Sequence, residues 1–131
     1  MTVSILVVDD EPDVVDLFRQ RFRREARNGD YVLHFATSGA DALQQLWKGI
    51  WPELILILSD INMPGMDGLQ LLHEVRRRWP HLPVMMVTAY GDDARRQQAA
   101  EDGVFDFLSK PVDFDYLKRR LHAFTVSGPA A

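Results

Sequence analysis

Polar residues that could do chemistry follow or close the apolar runs of this sequence: Asp9 and Asp10 after "SILVV", Asp60 after "LILILS", Thr88 closing "PVMMVT", Lys110 after "VFDFLS". Each has an ordinary explanation when taken alone. Asp9 and Asp10 could start a helix, Asp60 could cap the turn "INMPG", Thr88 could simply end a strand, and Lys110 could be a solvated lysine. Together they suit something more specific. Carboxylates gathered in one place repel one another unless a cation joins them. Oxygen ligands without histidine or cysteine favour a hard ion such as magnesium. A lysine then adds a compact positive charge and a threonine a hydroxyl donor, a collection suited to a phosphoryl group. Asp60 could attack phosphorus directly, because an ionised carboxylate is already a nucleophile and needs no activating base. Thr88 and Lys110 would hold the oxygens of the resulting aspartyl phosphate.

For this to work, the elements must bring those residues to one place. Five short runs have the length and composition of strands: 4–8, 31–35, 54–58, 83–88 and 104–108. The first and third are nearly continuous in apolar residues, as expected for strands covered on both faces, and the last alternates like an edge strand. Helical patterns alternate with them. Residues 13–28 carry Val14, Phe18 and Phe22 on one stripe and stop at Gly29; Ser38 with Asp41 opens a second pattern containing Ala42, Leu43, Leu46 and Trp47. Asp67 with Gln70 repeats the capping pattern before Leu71, Leu72 and Val75. Residues 92–102 are weakly amphipathic around Ala94 and Ala99, and a last helix from about Asp113 turns Phe114, Leu117, Leu121 and Phe124 inward. Five βα units with short links predict a parallel sheet with helices on both faces and right-handed crossovers. In such a sheet ligands sit beyond the carboxyl ends of the strands, where these polar residues lie.

The bulk properties narrow the class. A chain of 131 residues, 47% hydrophobic and 26% charged, fits one domain with a real core. A net charge of -4 gives no basic surplus for direct nucleic-acid binding, and the absence of cysteine removes disulfides and cysteine-based zinc sites. No run resembles a secretory signal or a membrane span. The tail 126–131 reads as a flexible end or a linker stump after a domain at 1–125.

The motifs "ILVVDDEP", "LILSDINMPGMDGLQLL", "VTAYG" and "FLSKP", in this order and at these spacings, closely resemble the receiver domains of two-component response regulators. The resemblance covers about Thr2 to Phe124. It implies a doubly wound, flavodoxin-like α/β fold with five helices and a five-stranded sheet in the order 2-1-3-4-5. It also implies a cytoplasmic protein that catalyses its own phosphorylation and dephosphorylation rather than a conventional enzyme. Asp60 would be the phosphoacceptor, fed by a histidine kinase, a phosphotransfer protein or a small phosphodonor. Mg2+, or Mn2+ in its place, would be held by Asp10, Asp60 and the backbone carbonyl of Asn62, with Asp9 acting through a water. Thr88 and Lys110 would bind the phosphoryl group, and the bond before Pro111 would be cis. Thr88 and Phe107 would form the switch, Phe107 with an inward bias, while Asn62, Ala89 and Tyr90 would tune the rates. The fourth helix, fifth strand and fifth helix, with Arg95, Arg96, Gln98, Lys118 and Arg119, would be the surface that responds, through homodimerisation or other partners. A kinase would meet the first helix near Phe18 and Arg21 and the loop after the fifth strand.

Two rivals stand beside this reading. Phosphatases similar to the haloacid dehalogenases place an acidic residue two after their nucleophile, where this chain has Asn62, and need a cap that it lacks. A receiver-like module that works by protein contact without phosphorylation would be free to lose its acids, Thr88 and Lys110; all are present here. No output domain is recognisable, so the chain reads as a stand-alone regulator or a piece of a larger one.

Overall fold

A computed structural model describes residues 2–127. Its five strands are β1 (Val3–Val8), β2 (Tyr31–Ala36), β3 (Leu54–Asp60), β4 (Val84–Thr88) and β5 (Asp106–Ser109). All pair in parallel, in the order β2-β1-β3-β4-β5, so β5 is an edge as its alternating pattern predicts. The helices are α1 (Pro12–Arg21), α2 (Arg23–Arg27), α3 (Gly39–Lys48), α4 (Gly68–Arg78), α5 (Asp93–Glu101) and α6 (Phe114–Ser127). The first predicted helix is therefore two segments. Phe22, at φ -102° and ψ 13°, interrupts it, although the bonds from Phe22 N–H to Phe18 O (2.9 Å) and Ala26 N–H to Phe22 O (2.8 Å) continue across the break. The fourth and fifth helices of the sequence reading are thus α5 and α6. Part of the expected tail, up to Ser127, continues α6; residues 128–131 lie outside the described residues.

Two apolar layers hold the sheet, one on each face. Phe18, Phe22, Phe114, Leu117 and Leu121 from α1, α6 and the break cover one face, over Ile5, Val7, Leu56 and Leu58. Phe114 meets Phe18 edge-on at 5.0 Å. Leu46, Leu71, Leu72, Val75 and Ala99 from α3, α4 and α5 cover the other, over Leu6, Val8, Ile57 and Met86. Each large side chain buried in this way contributes about 1.5–3 kcal/mol relative to exposure. Of the two main small apolar positions of α5, Ala94 is exposed and only Ala99 is buried. This helix is the most weakly anchored of the long helices.

The capping pairs form as the sequence predicts. Ser38 accepts the Asp41 N–H at 3.0 Å, and Asp67 and Gln70 cap each other reciprocally at 2.9 and 3.0 Å. The second cap fixes where α4 begins, directly below the turn that follows Asp60.

Candidate phosphoryl and metal site

Sheet register assembles the site. Val8 pairs with Ser59, Asp60 with Val87 and Thr88 with Ser109. Asp9 and Asp60 therefore stand level, Thr88 one step past the partner of Asp60 and Lys110 one step past the partner of Thr88, so all four gather along one edge of the sheet. Strand order reverses between β1 and β3, so the crevice opens between Asp9 and Asp60, as parallel sheets of this kind dictate.

Asp9, Asp10, Glu11 and Asp60 each offer a carboxylate oxygen, and these lie within 4.8 Å of one another. Glu11 was not among the residues expected from sequence; its place beside "DD" is the only sign of it. Asp9 and Asp60 are buried, at 6% and 4% exposure, while Asp10 and Glu11 face solvent. A buried acid pair with an open side suits a hydrated hard cation. The donor set, all oxygen and strongly anionic, fits Mg2+, which keeps several waters and takes only one or two carboxylates. The family resemblance would assign it to Asp10, Asp60 and the Asn62 carbonyl, with Asp9 acting through water; bound in this cluster, the ion would neutralise charge on a phosphoryl group.

Lys110 supplies the opposing charge. Its Nζ donates to Asp60 Oδ2 at 2.9 Å, while the Asn62 N–H donates to Asp60 Oδ1 at 3.1 Å. Burial alone would lower the Lys110 pKa, but the Asp60 hydrogen bond and charge, with that of Asp9, hold it above the ordinary lysine value. The ammonium is therefore secure. The Lys110–Pro111 bond is cis, as expected, and so is Trp51–Pro52. Beneath the acids a cavity of about 240 Å3 runs between Val7, Val14, Phe18, Leu58 and Val112, with Asp60 and Lys110 at its wall.

Asp9 reports the field of the site. Burial pushes its carboxyl up to about 6, against the Glu11 N–H that donates to it at 2.9 Å, and the Asp60 charge pushes the same way. Between the ordinary 3.8 and about 6 the folded chain keeps a proton at Asp9 that the unfolded chain has lost. Stability of the metal-free protein is therefore expected to fall as pH rises through that window. Magnesium should offset the loss, so its effect on the melting temperature is expected to be small near pH 5 and to grow as pH passes about 6. Melting curves with and without Mg2+ across pH check this; a magnesium effect that does not vary with pH would contradict it.

The remaining expected residues divide. Thr88 is buried at the end of β4 beside the site. Asn62 and Ala89 flank it on two loops, both exposed. Tyr90 projects wholly into solvent from the loop after β4. Phe107 is half-buried against the α3–α5 layer, and the Arg96 guanidinium lies over its ring at 4.8 Å. Sequence reading missed Asp92, which accepts the Ala89 N–H at 2.7 Å and the Asn62 side-chain amide at 3.0 Å. Those two bonds, the backbone one foremost, hold the Asp92 carboxyl below its ordinary range. Arg95, expected on the responding surface, also pairs with Asp67, a contact that the sequence reading did not foresee.

A family model for the response regulator receiver domain matches residues 5–122. The chain belongs to the receiver domain family. The receiver is 37% identical over 127 residues to the transcriptional regulatory protein GlrR of Escherichia coli, covering 96% of this chain and 27% of that one. It is 38% identical over 122 residues to the sensor histidine kinase RcsC of Salmonella typhimurium, covering 93% of this chain and 12% of that one. It thus spans about a quarter or less of the length of these curated relatives. Among solved structures, it is similar to the signal receiver domain of an HD domain-containing protein from Pseudomonas fluorescens, at TM-score 0.85 and 26% identity over all of both chains. It is also similar to the receiver domain of NtrX from Brucella abortus, at TM-score 0.76 and 32% identity, covering 90% of this chain and 94% of that one. As a receiver it is a phosphoacceptor signalling domain that undergoes its own phosphorylation and dephosphorylation, with an acidic cluster typical of magnesium binding.

Proposed function

We propose that Asp60 takes a phosphoryl group from a phosphohistidine on a kinase or phosphotransfer protein, or from a small acyl phosphate, in a Mg2+-dependent reaction. The observation that carries this is the contact of Lys110 Nζ with Asp60 Oδ2 at 2.9 Å inside a four-carboxylate cluster. An Asp60 carboxylate oxygen forms the new bond to phosphorus. The bond from phosphorus to the donor breaks, and its electron pair leaves with the donor imidazole or carboxylate. Lys110 steadies the phosphoryl oxygens, and the Thr88 hydroxyl donates to them as the β4–α5 loop closes in. Mn2+ would serve in place of Mg2+. Intact mass after incubation with acetyl phosphate tests this: one added phosphoryl group is expected with Mg2+ and none with chelator. Lack of any gain in folded, magnesium-bound protein would favour a receiver that takes its phosphoryl group only from a kinase, and failure to bind magnesium as well would favour an interaction module that is never phosphorylated.

The response runs outward through Thr88 and Phe107 to α5, β5 and α6, the proposed surface for a homodimer or an output partner. Arg96 on Phe107 joins that surface to the switch residue. Lys118, expected there, turns instead toward α2, donating to Arg21 O at 2.7 Å and pairing with Glu25. On the kinase side, Phe18 is 2% exposed and serves the core, so Leu17, at 39%, is the apolar residue α1 presents. A net charge of -4 offers no basic surplus, and the proposal includes no direct binding of nucleic acid by this domain. Among the described residues no helix is long and apolar enough to cross a membrane, and a cytoplasmic setting follows from the proposed kinase partner.

Tyr90 tunes the lifetime of the phosphorylated state by folding over the phosphoryl group from its exposed loop. Tyr90→Ala is expected to lose the phosphoryl group several-fold faster, followed as phosphoprotein decay after donor removal; an unchanged decay rate would eliminate this role.

A further inference from the structure

Asp92 occupies the N-cap of α5, yet its side chain does not cap the helix. Aspartate at that position ordinarily accepts an N–H from the first turn. Here the carboxylate turns back. One oxygen accepts the Ala89 N–H at 2.7 Å and the other the Asn62 side-chain amide at 3.0 Å. Ala89 follows Thr88 directly, and Asn62 stands two residues after Asp60 with its own N–H on Asp60 Oδ1. A single side chain therefore ties together the two loops that flank Asp60. A second tie runs parallel to it, from Arg95 to Asp67 and to the Ile61 carbonyl.

We infer that Asp92 is a positioning residue that latches the β4–α5 loop to the β3–α4 loop in the unphosphorylated receiver, and that the latch opposes phosphoryl binding. The inference rests on Asp60 as phosphoacceptor. A phosphoryl group at Asp60 brings close to two negative charges and three acceptor oxygens. It repels the Asp92 carboxylate and competes for the donors that Asp92 holds on the loops beside it. In the proposed response Thr88 and Ala89 approach the phosphoryl group as their loop leaves the position in which Asp92 holds it. A ligand shifts such an equilibrium only by its difference in affinity for the two arrangements, so every bond that favours the latched form weakens phosphoryl binding.

The variants are Asp92→Ala and Asp92→Asn. Asparagine has one acceptor oxygen and no charge, so it can satisfy Ala89 or Asn62 but not both. Beryllofluoride, a tetrahedral phosphoryl mimic, serves as the probe, titrated in the presence of Mg2+ while the Ala89 amide resonance is followed. Asp92→Ala is expected to bind the mimic roughly tenfold more tightly than the wild type, with Asp92→Asn between them. Mg2+ affinity without the mimic is expected to stay unchanged, a split that simple loosening of the fold would not produce. In the wild type, adding the mimic should move the Ala89 resonance toward its position in metal-bound Asp92→Ala. Equal or weaker binding of the mimic by the variants would overturn the latch, and if Asp92→Ala fails to fold, Asp92→Asn decides alone. A wild type that binds Mg2+ but no beryllofluoride would overturn the phosphoacceptor reading, and the latch with it.

Discussion

Asp60→Asn is expected to fold normally and to take up no phosphoryl group. The loss should be at least roughly a thousandfold in initial rate, because the amide offers no nucleophilic oxygen anion and no other group replaces it. The surroundings explain why the fold should survive. Asp60 is 4% exposed and lies in a cluster with three other carboxylates, so removing its charge relieves repulsion on Asp9. Against that, asparagine has one acceptor oxygen where aspartate uses two, for Lys110 Nζ and the Asn62 N–H. A hydrogen bond that involves a charged group contributes about 1.5–3 kcal/mol net, and the relieved repulsion on Asp9 offsets part of its loss. Phosphorylation assays and melting curves on the same preparation separate the two effects. Retained uptake would mean that another residue is the acceptor; a collapsed fold would mean that the Asp60 charge is structural.

Gly68→Ala is expected to be the most damaging small substitution near the site. Gly68 begins α4, and its N–H donates to Ile61 O at 3.1 Å. A Cβ there would stand 2.4 Å from the Asp60 carbonyl oxygen and 2.8 Å from the Ile61 Cα. Both are backbone atoms of the segment that carries the acceptor, so neither can swing aside. Overpacking of this kind costs about 2–3 kcal/mol, which in a domain this size lowers the melting temperature by roughly 10 °C. Shifting the Asp60 carbonyl also disturbs the Asn62 turn, so slower phosphorylation should accompany the loss. Gly65, on the same loop, makes a useful contrast. Its φ of +71° strains any other residue, but nothing lies within 4 Å of its would-be Cβ. Gly65→Ala should therefore cost only about 1–2 kcal/mol. Equal effects at the two positions would show that loop strain, not close approach, makes glycine necessary at 68.

The strands and the site were legible in the sequence because the same local signals produce both. Apolar runs of strand length end in polar residues, and parallel register turns those endings into neighbours; Asp9, Asp60, Thr88 and Lys110 needed nothing more. Capping pairs such as Asp67 and Gln70 were legible because both partners lie within one turn. What escaped depends on single dihedrals or on distant chain segments. Phe22 keeps its place in the apolar stripe, so the break it makes leaves no trace in periodicity. Trp47 follows the stripe of α3 but is 63% exposed, packed edge-on to Trp79 at 5.2 Å with the Arg78 guanidinium 5.1 Å from its ring. Phe18 and Lys118 were placed on binding surfaces by the family resemblance, whereas packing against α6 and α2 decides where each points. Asp92 and Arg95 reach across from one loop or helix to another, 30 and 28 residues away in sequence. Only the folded chain brings those groups together.

The most direct measurement is to locate the phosphoryl group itself. The receiver would be incubated with acetyl phosphate and Mg2+, reduced with borohydride to fix any acyl phosphate as an alcohol, and mapped by peptide mass spectrometry. Modification of Asp60 alone, absent when the metal is chelated, is the expected result. Modification of Asp9, Asp10 or Glu11 instead, or of Asp60 equally well without metal, would contradict the assignment of nucleophile and metal-binding acids made from this geometry.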